Sequence, residues 1–219
     1  MLILCTYNNN GVNMMEYENS TKKRIREVAL KLFNEKTFQQ VTLNEICSAS
    51  GVNKHTFYYY FKSKDELLKD YYKIPSELTS YDLTTILTAD SYVEQLWLLN
   101  KNFLDFIDNS GISIVKQLII KNLKEDIGTF KISEEKKEML KVQCEIIRKG
   151  QSNGEFLNKT DPEVLVVLLK QVTHSTAVTW SLKNGDFDFK TATRYLYEMT
   201  LGVAPQYRKV KEYNILGIL

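Results

Sequence analysis

The amino-acid sequence predicts an all-α fold. Apolar residues recur at intervals of three and four in most of the 219-residue chain, which is the spacing of amphipathic helices. Only 3 prolines and 9 glycines interrupt these segments, so long helices fit better than a loop-rich fold. No segment shows the alternation of apolar and polar residues that is typical of a half-buried strand.

The first helix is predicted in the segment TKKRIREVALKLFNEKTF, which begins at Thr21. Its apolar residues lie at positions i, i+3, i+4, i+7 and i+8 from Ile25, and Ser20 or Thr21 is suited to cap its N-terminus. Residues 1–19 are rich in asparagine and lack the basic start of a signal peptide, so we expect a disordered tail. The true start of translation is left open between Met1, Met14 and Met15.

Two short helices follow the first one. Thr42 and Glu45 have capping-box spacing, so a helix begins there, and Gly51 ends it. Asn53 is placed to cap the next helix, over residues 54–61. A short helix, a tight turn and a second short helix behind an amphipathic helix form the helix-turn-helix pattern. A fourth helix begins at the capping-box pattern of residues 63–66 and ends before Pro75.

Longer helices are predicted beyond Pro75, so residues 20–74 and 75–219 form separate domains. Asp161 is followed by proline at the first helical position, and Gly111, Gly185 and Gly202 give stop signals. The five segments are SYVEQLWLLNKNFLDFIDNSG, ISIVKQLIIKNLKED, SEEKKEMLKVQCEIIRKGQSNG, DPEVLVVLLKQVTHSTAVTWSLKNG and DFKTATRYLYEMTLGVAP.

The third helix carries an unusual run of tyrosines, GVNKHTFYYYF. At 100° per residue, Phe57 and Phe61 share a face, whereas His55 and Tyr59 point away from it. Three phenol groups cannot all enter the core, so the run indicates a polar partner. The second helix of a helix-turn-helix enters the major groove, where first-turn side chains read base edges and flanking hydroxyls contact phosphates. The predicted DNA-binding residues of this helix are Lys54, His55, Thr56, Tyr58, Tyr59 and Tyr60.

The charge distribution also favours an anionic partner at this end of the chain. Residues 21–64 contain nine basic and three acidic side chains, a net charge of +6 on a chain whose net charge is only +2. Lys64 lies at the N-terminus of the fourth helix, where the free N–H groups already favour a phosphate.

Residues 21–72 resemble the DNA-binding domain of the TetR/AcrR family of transcriptional regulators. The resemblance rests on the apolar pattern of the first helix and on the motifs VTLNEI, SGV, FYYYF and KSKDEL. It implies a three-helix DNA-binding head and a C-terminal helical domain that binds a small molecule and forms a homodimer. Thr37 stands where the family often has glycine, which costs about 1 kcal/mol if its backbone is left-handed. The resemblance implies phosphate contacts by Thr42, Tyr58, Tyr60 and Lys64, and base contacts by Asn44, Lys54, His55 and Thr56.

The C-terminal domain offers candidates for two further sites, although burial in the core is the favoured explanation for each of the pocket candidates. Apolar residues on more than one face of the segment after Asp161 indicate that a partner covers one of them. The ligand-pocket candidates are Tyr92, Trp97, Phe103, Met139, His174 and Trp180. The dimer-interface candidates are Val164, Leu168, Val172, Tyr195 and Met199.

These patterns predict a cytoplasmic repressor that a small-molecule effector, not identifiable from the sequence, releases from a palindromic double-stranded DNA operator. The alternative is a helical protein-interaction module without ligand control. An enzyme is disfavoured because the chain has two histidines and no nucleophile elbow, phosphate loop or HExxH motif. We expect no metal, no cofactor and no membrane partner, since the longest apolar runs are too short to cross a bilayer.

Overall fold

A computed structural model of the chain describes residues 9–71, 79–125 and 134–218. Within these ranges the chain is helical, with one isolated β-bridge between Phe156 and Val203, which confirms the all-α prediction. None of the described helices is long and apolar enough to cross a membrane.

The chain divides into two compact units, and the division in the sequence falls between residues 73 and 74. The predicted boundary at 74–75 falls within residues 72–78, outside the described ranges, as do Pro75 and the last residues of the predicted fourth helix. The first unit, called the head below, contains α1 (Asn9–Lys36), α2 (Leu43–Ser50), α3 (Lys54–Tyr60) and α4 (Lys64–Tyr71).

The second unit contains six described α-helices and two short 3₁₀ turns. Helix α5 was not predicted from its sequence, although Thr79 and Asp82 form a capping box at its start. The helices are α5 (Ser80–Leu87), α6 (Tyr92–Ser110), α7 (Ile112–Lys124), α8 (Glu134–Ser152), α9 (Pro162–Leu182) and α10 (Phe189–Leu201), followed by the turns Pro205–Tyr207 and Ile215–Ile218.

Helix α1 begins earlier than the sequence predicted. It starts at Asn9, so the predicted disordered tail of residues 1–19 is helical from residue 9 onward, and residues 1–8 lie outside the described ranges. Extending an existing helix adds one hydrogen bond per residue without a new nucleation cost. Neither Ser20 nor Thr21 is therefore an N-cap, and Thr21 is buried within the helix.

The head is held together by side chains from each of its four helices. Helix α1 contributes Ile25, Ala29 and Phe33 to this core, and Ile46 of α2 is also buried. The predicted local signals are present: Thr42 and Glu45 form the capping box of α2, Gly51 has a φ of 65°, and Asn53 accepts the Thr56 N–H. Helix α3 ends one residue before the predicted position. The buried core of the head also includes Phe57, Phe61, Leu67 and Leu68.

The second unit has two apolar clusters. The first joins α6, α8, α9 and α10 around side chains such as Leu96, Ile147 and Leu165. The second joins α6, α7, α9 and α10 around Leu104 and Trp180. Trp97 of α6 packs against both clusters, so it links the two halves of this core.

A buried ion network adds a polar connection to the second unit. The Arg194 guanidinium of α10 donates to Glu198 at 2.6 Å and also to Glu94 of α6, and it lies 4.9 Å from the Trp97 ring. Glu198 is 1% exposed and accepts two further hydrogen bonds, from the backbone N–H groups of residues 209 and 210. The network therefore ties the segment after α10 to the helical core.

Thr37, between α1 and α2, has a φ of 101°. This value is left-handed, as considered for this position from the sequence, and it is strained for a β-branched residue. The Thr37 N–H donates to the Phe33 carbonyl at 3.1 Å, and its hydroxyl donates to Gln40 at 3.1 Å, so the connection is held from both sides.

We predict that Thr37→Gly raises the free energy of unfolding of the head by about 1 kcal/mol, because glycine adopts a positive φ without a Cβ clash. Thr37→Ala is the matched control, since it removes the same hydroxyl but keeps the Cβ. Chemical denaturation of the three proteins makes the comparison. Equal stability of the glycine and alanine variants would contradict the assignment of strain.

Candidate DNA-binding surface and effector domain

Helix α3 separates its buried and exposed side chains as predicted from the helical wheel. Phe57 and Phe61 are buried, whereas Tyr58 is 53% exposed and Tyr59 is 66% exposed. Lys54 and His55, in the first turn, are exposed as well, and Thr56 and Tyr60 are half-buried. One short helix therefore presents a cation, an imidazole and phenol rings to solvent.

The tyrosine rings are supported by neighbouring rings. Tyr58 lies edge-on to Phe57, with ring centroids 5.8 Å apart, and Tyr59 lies edge-on to Tyr60 at 4.9 Å. Such contacts stabilise particular ring positions. A hydroxyl on a supported ring loses less conformational entropy on binding than one on a free side chain.

Several other candidate donors already have partners within the head. The Thr42 hydroxyl donates to Glu45 at 2.8 Å, and the Thr56 hydroxyl donates to Asn53 at 3.0 Å. Glu45 also binds the Lys36 ammonium at 2.5 Å, and hydrogen bonds from Lys36 and Thr42 lower the pKa of its carboxyl to about 2. Contacts of these hydroxyls with phosphate would need an exchange of partners. Asn44 is exposed at the second position of α2.

Lys64 occupies a position that the sequence did not reveal. Its Nζ donates to the carbonyl of Phe38 at 2.9 Å and to that of Val41 at 2.5 Å, and it lies 4.7 Å from the Phe38 ring. Burial lowers the pKa of Lys64, against the opposing attraction of nearby carboxylates. Two of its three N–H groups thus hold the α1–α2 connection against α4.

Part of the basic excess of the head is neutralised internally. Asp70 of α4 accepts hydrogen bonds from Lys22 at 2.9 Å and from Arg26 at 3.4 Å, both on α1. These pairs tie α1 to α4. The positive charge available to a partner is therefore smaller than the nine basic residues suggest.

The predicted ligand-pocket residues are divided between the two apolar clusters of the second unit. Tyr92 and Met139 are half-buried against the first cluster, Phe103 against the second, and Trp97 against both. His174 lies 6.5 Å from the Phe103 ring, and burial lowers the pKa of the imidazole. The described residues contain no cluster of three or more potential metal ligands.

Trp180 is a core residue in this structure. It is buried, its indole N–H donates to the Phe187 carbonyl at 3.1 Å, and its ring lies 5.5 Å from that of Phe189. Its one polar atom is therefore satisfied internally, as expected for a packed tryptophan.

Two family models match the chain. The model described as bacterial regulatory proteins, tetR family, matches residues 25–71, and the model described as YsiA-like protein, C-terminal region, matches residues 65–203. The chain belongs to the tetR family. It is a DNA-binding transcriptional regulator, and its family and fold are those of regulators rather than enzymes. This membership favours a regulator over the helical interaction module.

Three similar proteins illustrate the range of the tetR family. The fatty acid metabolism regulator protein of Bacillus subtilis is 24% identical over 181 residues, which are 80% of this chain and 91% of that protein. The uncharacterized HTH-type transcriptional regulator YerO of the same organism is 44% identical over 50 residues, but these are only 23% of this chain and 17% of that protein. The solved structure of FadR from Bacillus subtilis in complex with stearoyl-CoA has a TM-score of 0.54 and 19% identity, covering 82% of this chain and 97% of that one.

Helix α9 of this tetR-family protein has apolar side chains on two faces. Leu165, Leu169 and Ala177 are buried in its own core, whereas Val164 and Leu168 are exposed. Three further exposed residues of the same helix, Val167, Val178 and Leu182, extend the apolar surface and were missed in the sequence. Their spacing from Val164 and Leu168 could have revealed them.

The remaining interface candidates differ in their surroundings. Met199 of α10 is exposed, whereas Val172 is half-buried against the first cluster. The Tyr195 ring lies 5.7 Å from that of Tyr213, which follows α10. Val172 and Tyr195 therefore have packing roles within this chain that the sequence pattern did not predict.

We predict that Lys64→Met destabilises the head by about 1–3 kcal/mol, because the Phe38 and Val41 carbonyls lose their shared donor. Lys62→Met is the matched control, since the Lys62 side chain is exposed. Hydrogen exchange of residues 20–70 measures the loss. An equal effect of the two substitutions would contradict the structural role of Lys64.

The same variants test the phosphate contact that the resemblance implies. If the ammonium also binds a phosphate, Lys64→Met weakens binding to all duplexes alike and lowers the salt slope by about one unit. A loss confined to one specific duplex would contradict the phosphate contact.

Proposed function

We propose that this protein is a homodimeric repressor that binds a palindromic operator and leaves it when a small molecule occupies the second unit. The proposal rests on the exposed face of α3. A first turn with Lys54 and His55, set on a helix whose opposite face is buried, is arranged to enter a major groove. The family supports regulation of transcription through this surface.

We assign base contacts to Lys54 and His55 and phosphate contacts to Tyr58 and Tyr60. First-turn residues of the second helix reach base edges, whereas hydroxyls on either side of it meet the groove walls. Tyr59, the most exposed of the three tyrosines, is a further candidate. Asn44, Thr42 and Thr56 are secondary candidates, since both threonine hydroxyls first have to leave their partners in the head.

A second copy of the chain is the proposed cover for the exposed side of α9. A monomer that leaves this apolar surface in water would be prone to association. Two copies related by two-fold symmetry bury the same surface on each, and an obligate interface of this kind buries about 2,000 Å² or more in total. The same symmetry requires a palindromic operator with half-sites about one turn of DNA apart.

Long-chain acyl-CoA esters are the first effector class to test. One relative is a fatty acid metabolism regulator, and a solved structure with the same fold contains stearoyl-CoA. The two apolar clusters of the second unit suit a ligand with a long apolar part. A repressor of this kind acts in the cytoplasm, where the DNA is.

We predict that His55→Ala changes the preferred base at one position in each half-site, with a loss of about 1–3 kcal/mol of discrimination there. Selection from a random duplex library measures this, and the wild-type protein should select a palindrome. The matched control is Asn34→Ala, at an exposed position of α1 outside the predicted DNA contacts. Identical base preferences for wild type and His55→Ala would show that His55 does not read a base, and a non-palindromic wild-type site would contradict the proposed dimer.

We predict that Leu168→Glu separates the dimer and abolishes specific DNA binding, because it places a carboxylate on the surface that the second copy covers. Leu123→Glu is the control, since Leu123 of α7 is also an exposed leucine. Light scattering at micromolar concentration measures the mass of each protein. A wild-type monomer that binds a single half-site tightly would rule out the proposed assembly.

A further inference from the structure

An amide pair lies between α6 and α8, with one side chain buried and the other half-buried. Gln143 of α8 is 6% exposed, and its Nε2 donates to Asn100 Oδ1 at 2.8 Å. Asn100 Nδ2 donates in turn to the Leu96 carbonyl at 2.8 Å. The other end of the pair is open: Gln143 Oε1 is buried and has no hydrogen-bond partner among the described residues.

The orientation of both amides follows from their neighbours. Turning the Gln143 amide over would place its oxygen against Asn100 Oδ1, so two acceptors would face each other. Turning both amides over would place the Asn100 oxygen against the Leu96 carbonyl, with the same conflict. The open atom is therefore an acceptor. A buried acceptor without a partner destabilises a fold and calls for an explanation.

The side chains next to the pair on both helices are apolar, which suits a ligand with an apolar body. Trp97 and Phe103 lie one turn before and one turn after Asn100 on α6, and Met139 lies one turn before Gln143 on α8. All three side chains are half-buried. The cavity lined by Leu96 and Trp97 has a volume of only about 10 Å³ and does not include Gln143. Separation of α6 and α8 would give a ligand a path to the open acceptor.

We propose that Gln143 Oε1 is the polar anchor of the effector, and that the effector combines an apolar body with an N–H or O–H donor. This inference rests on the proposed ligand-controlled function and names the chemistry of the ligand. The N–H or O–H of the effector donates to Gln143 Oε1. The apolar body of the effector replaces the packing contacts that α6 and α8 lose when they move apart. A ligand held in this way favours a conformation with the two helices apart, which is the differential binding that release from DNA requires.

The test uses two isomeric probes of equal size, 1-decanol and methyl nonyl ether, of which only the alcohol has a hydrogen-bond donor. Thermal unfolding of the full chain gives the apparent affinity of each probe. We expect the wild type to bind decanol about fivefold more tightly, the contribution of one ordinary hydrogen bond. The double variant Asn100→Leu/Gln143→Met, which removes both amides together, should lose this preference and unfold at a temperature no lower than the wild type.

The matched control is Gln151→Met on the same helix. The Gln151 side chain donates to the carbonyls of Asn158 at 2.9 Å and Thr160 at 2.8 Å, so this variant should unfold at a lower temperature and keep the preference for decanol. If the double variant does not fold, Asn100→Ala/Gln143→Leu, which also removes both amides, replaces it. Equal affinity of the wild type for both probes, absence of decanol binding, or an unchanged preference in the variant overturns the inference.

A separate measurement distinguishes this inference from the proposed function. Release of the selected operator duplex by stearoyl-CoA is followed by fluorescence anisotropy for the same proteins. No release from the wild type contradicts acyl-CoA control, whereas the decanol preference still decides the role of Gln143. Release that persists in the double variant, together with a lost decanol preference, shows that acyl-CoA is bound without this anchor and overturns its role in effector recognition.

Discussion

The DNA-binding surface depends on the burial of Phe57 and Phe61. Helix α3 has only seven residues, and a helix of that length is not stable alone in water. Its shape comes from these two rings, which are fully enclosed by the head. Phe61 keeps its place in the core although its backbone, with a φ of −142°, has already left the helix. The exposed residues of α3 are therefore positioned by side chains that never meet DNA.

The polar side chains of the head have two different roles. The ammonium of Lys64 and the hydroxyl of Thr42 are used inside the head, where they hold the α1–α2 connection and the start of α2. Lys54 and His55 of α3, by contrast, are exposed. Internal bonds of this sort reduce the freedom that the free protein has to lose on binding. The internally bonded side chains thus fix the shape of the surface, whereas the exposed side chains of α3 are placed to contact a partner.

Signals that lie close together in the sequence predicted the structure well. The capping box at Thr42, the left-handed Gly51 and the cap at Asn53 each depend on atoms within a few residues, so the residue types alone were sufficient. The role of Lys64 was not predictable, because its acceptors lie 26 and 23 residues away. Trp180 was a candidate for the pocket although burial in the core was the favoured explanation, and the structure places it in the core. The N-terminal part of α1 was missed because its composition is that of a polar tail.

The ion network around Glu198 affects the order in which the two units can fold during synthesis. The family model for the second unit ends at residue 203, yet this buried carboxylate accepts hydrogen bonds from the N–H groups of residues 209 and 210. During synthesis these donors reach Glu198 only after residue 210 has left the ribosome. The head, whose described helices end at Tyr71, has all its core residues long before that point. A nascent chain therefore carries all the residues of the DNA-binding head before the second unit can complete the ion network around Glu198.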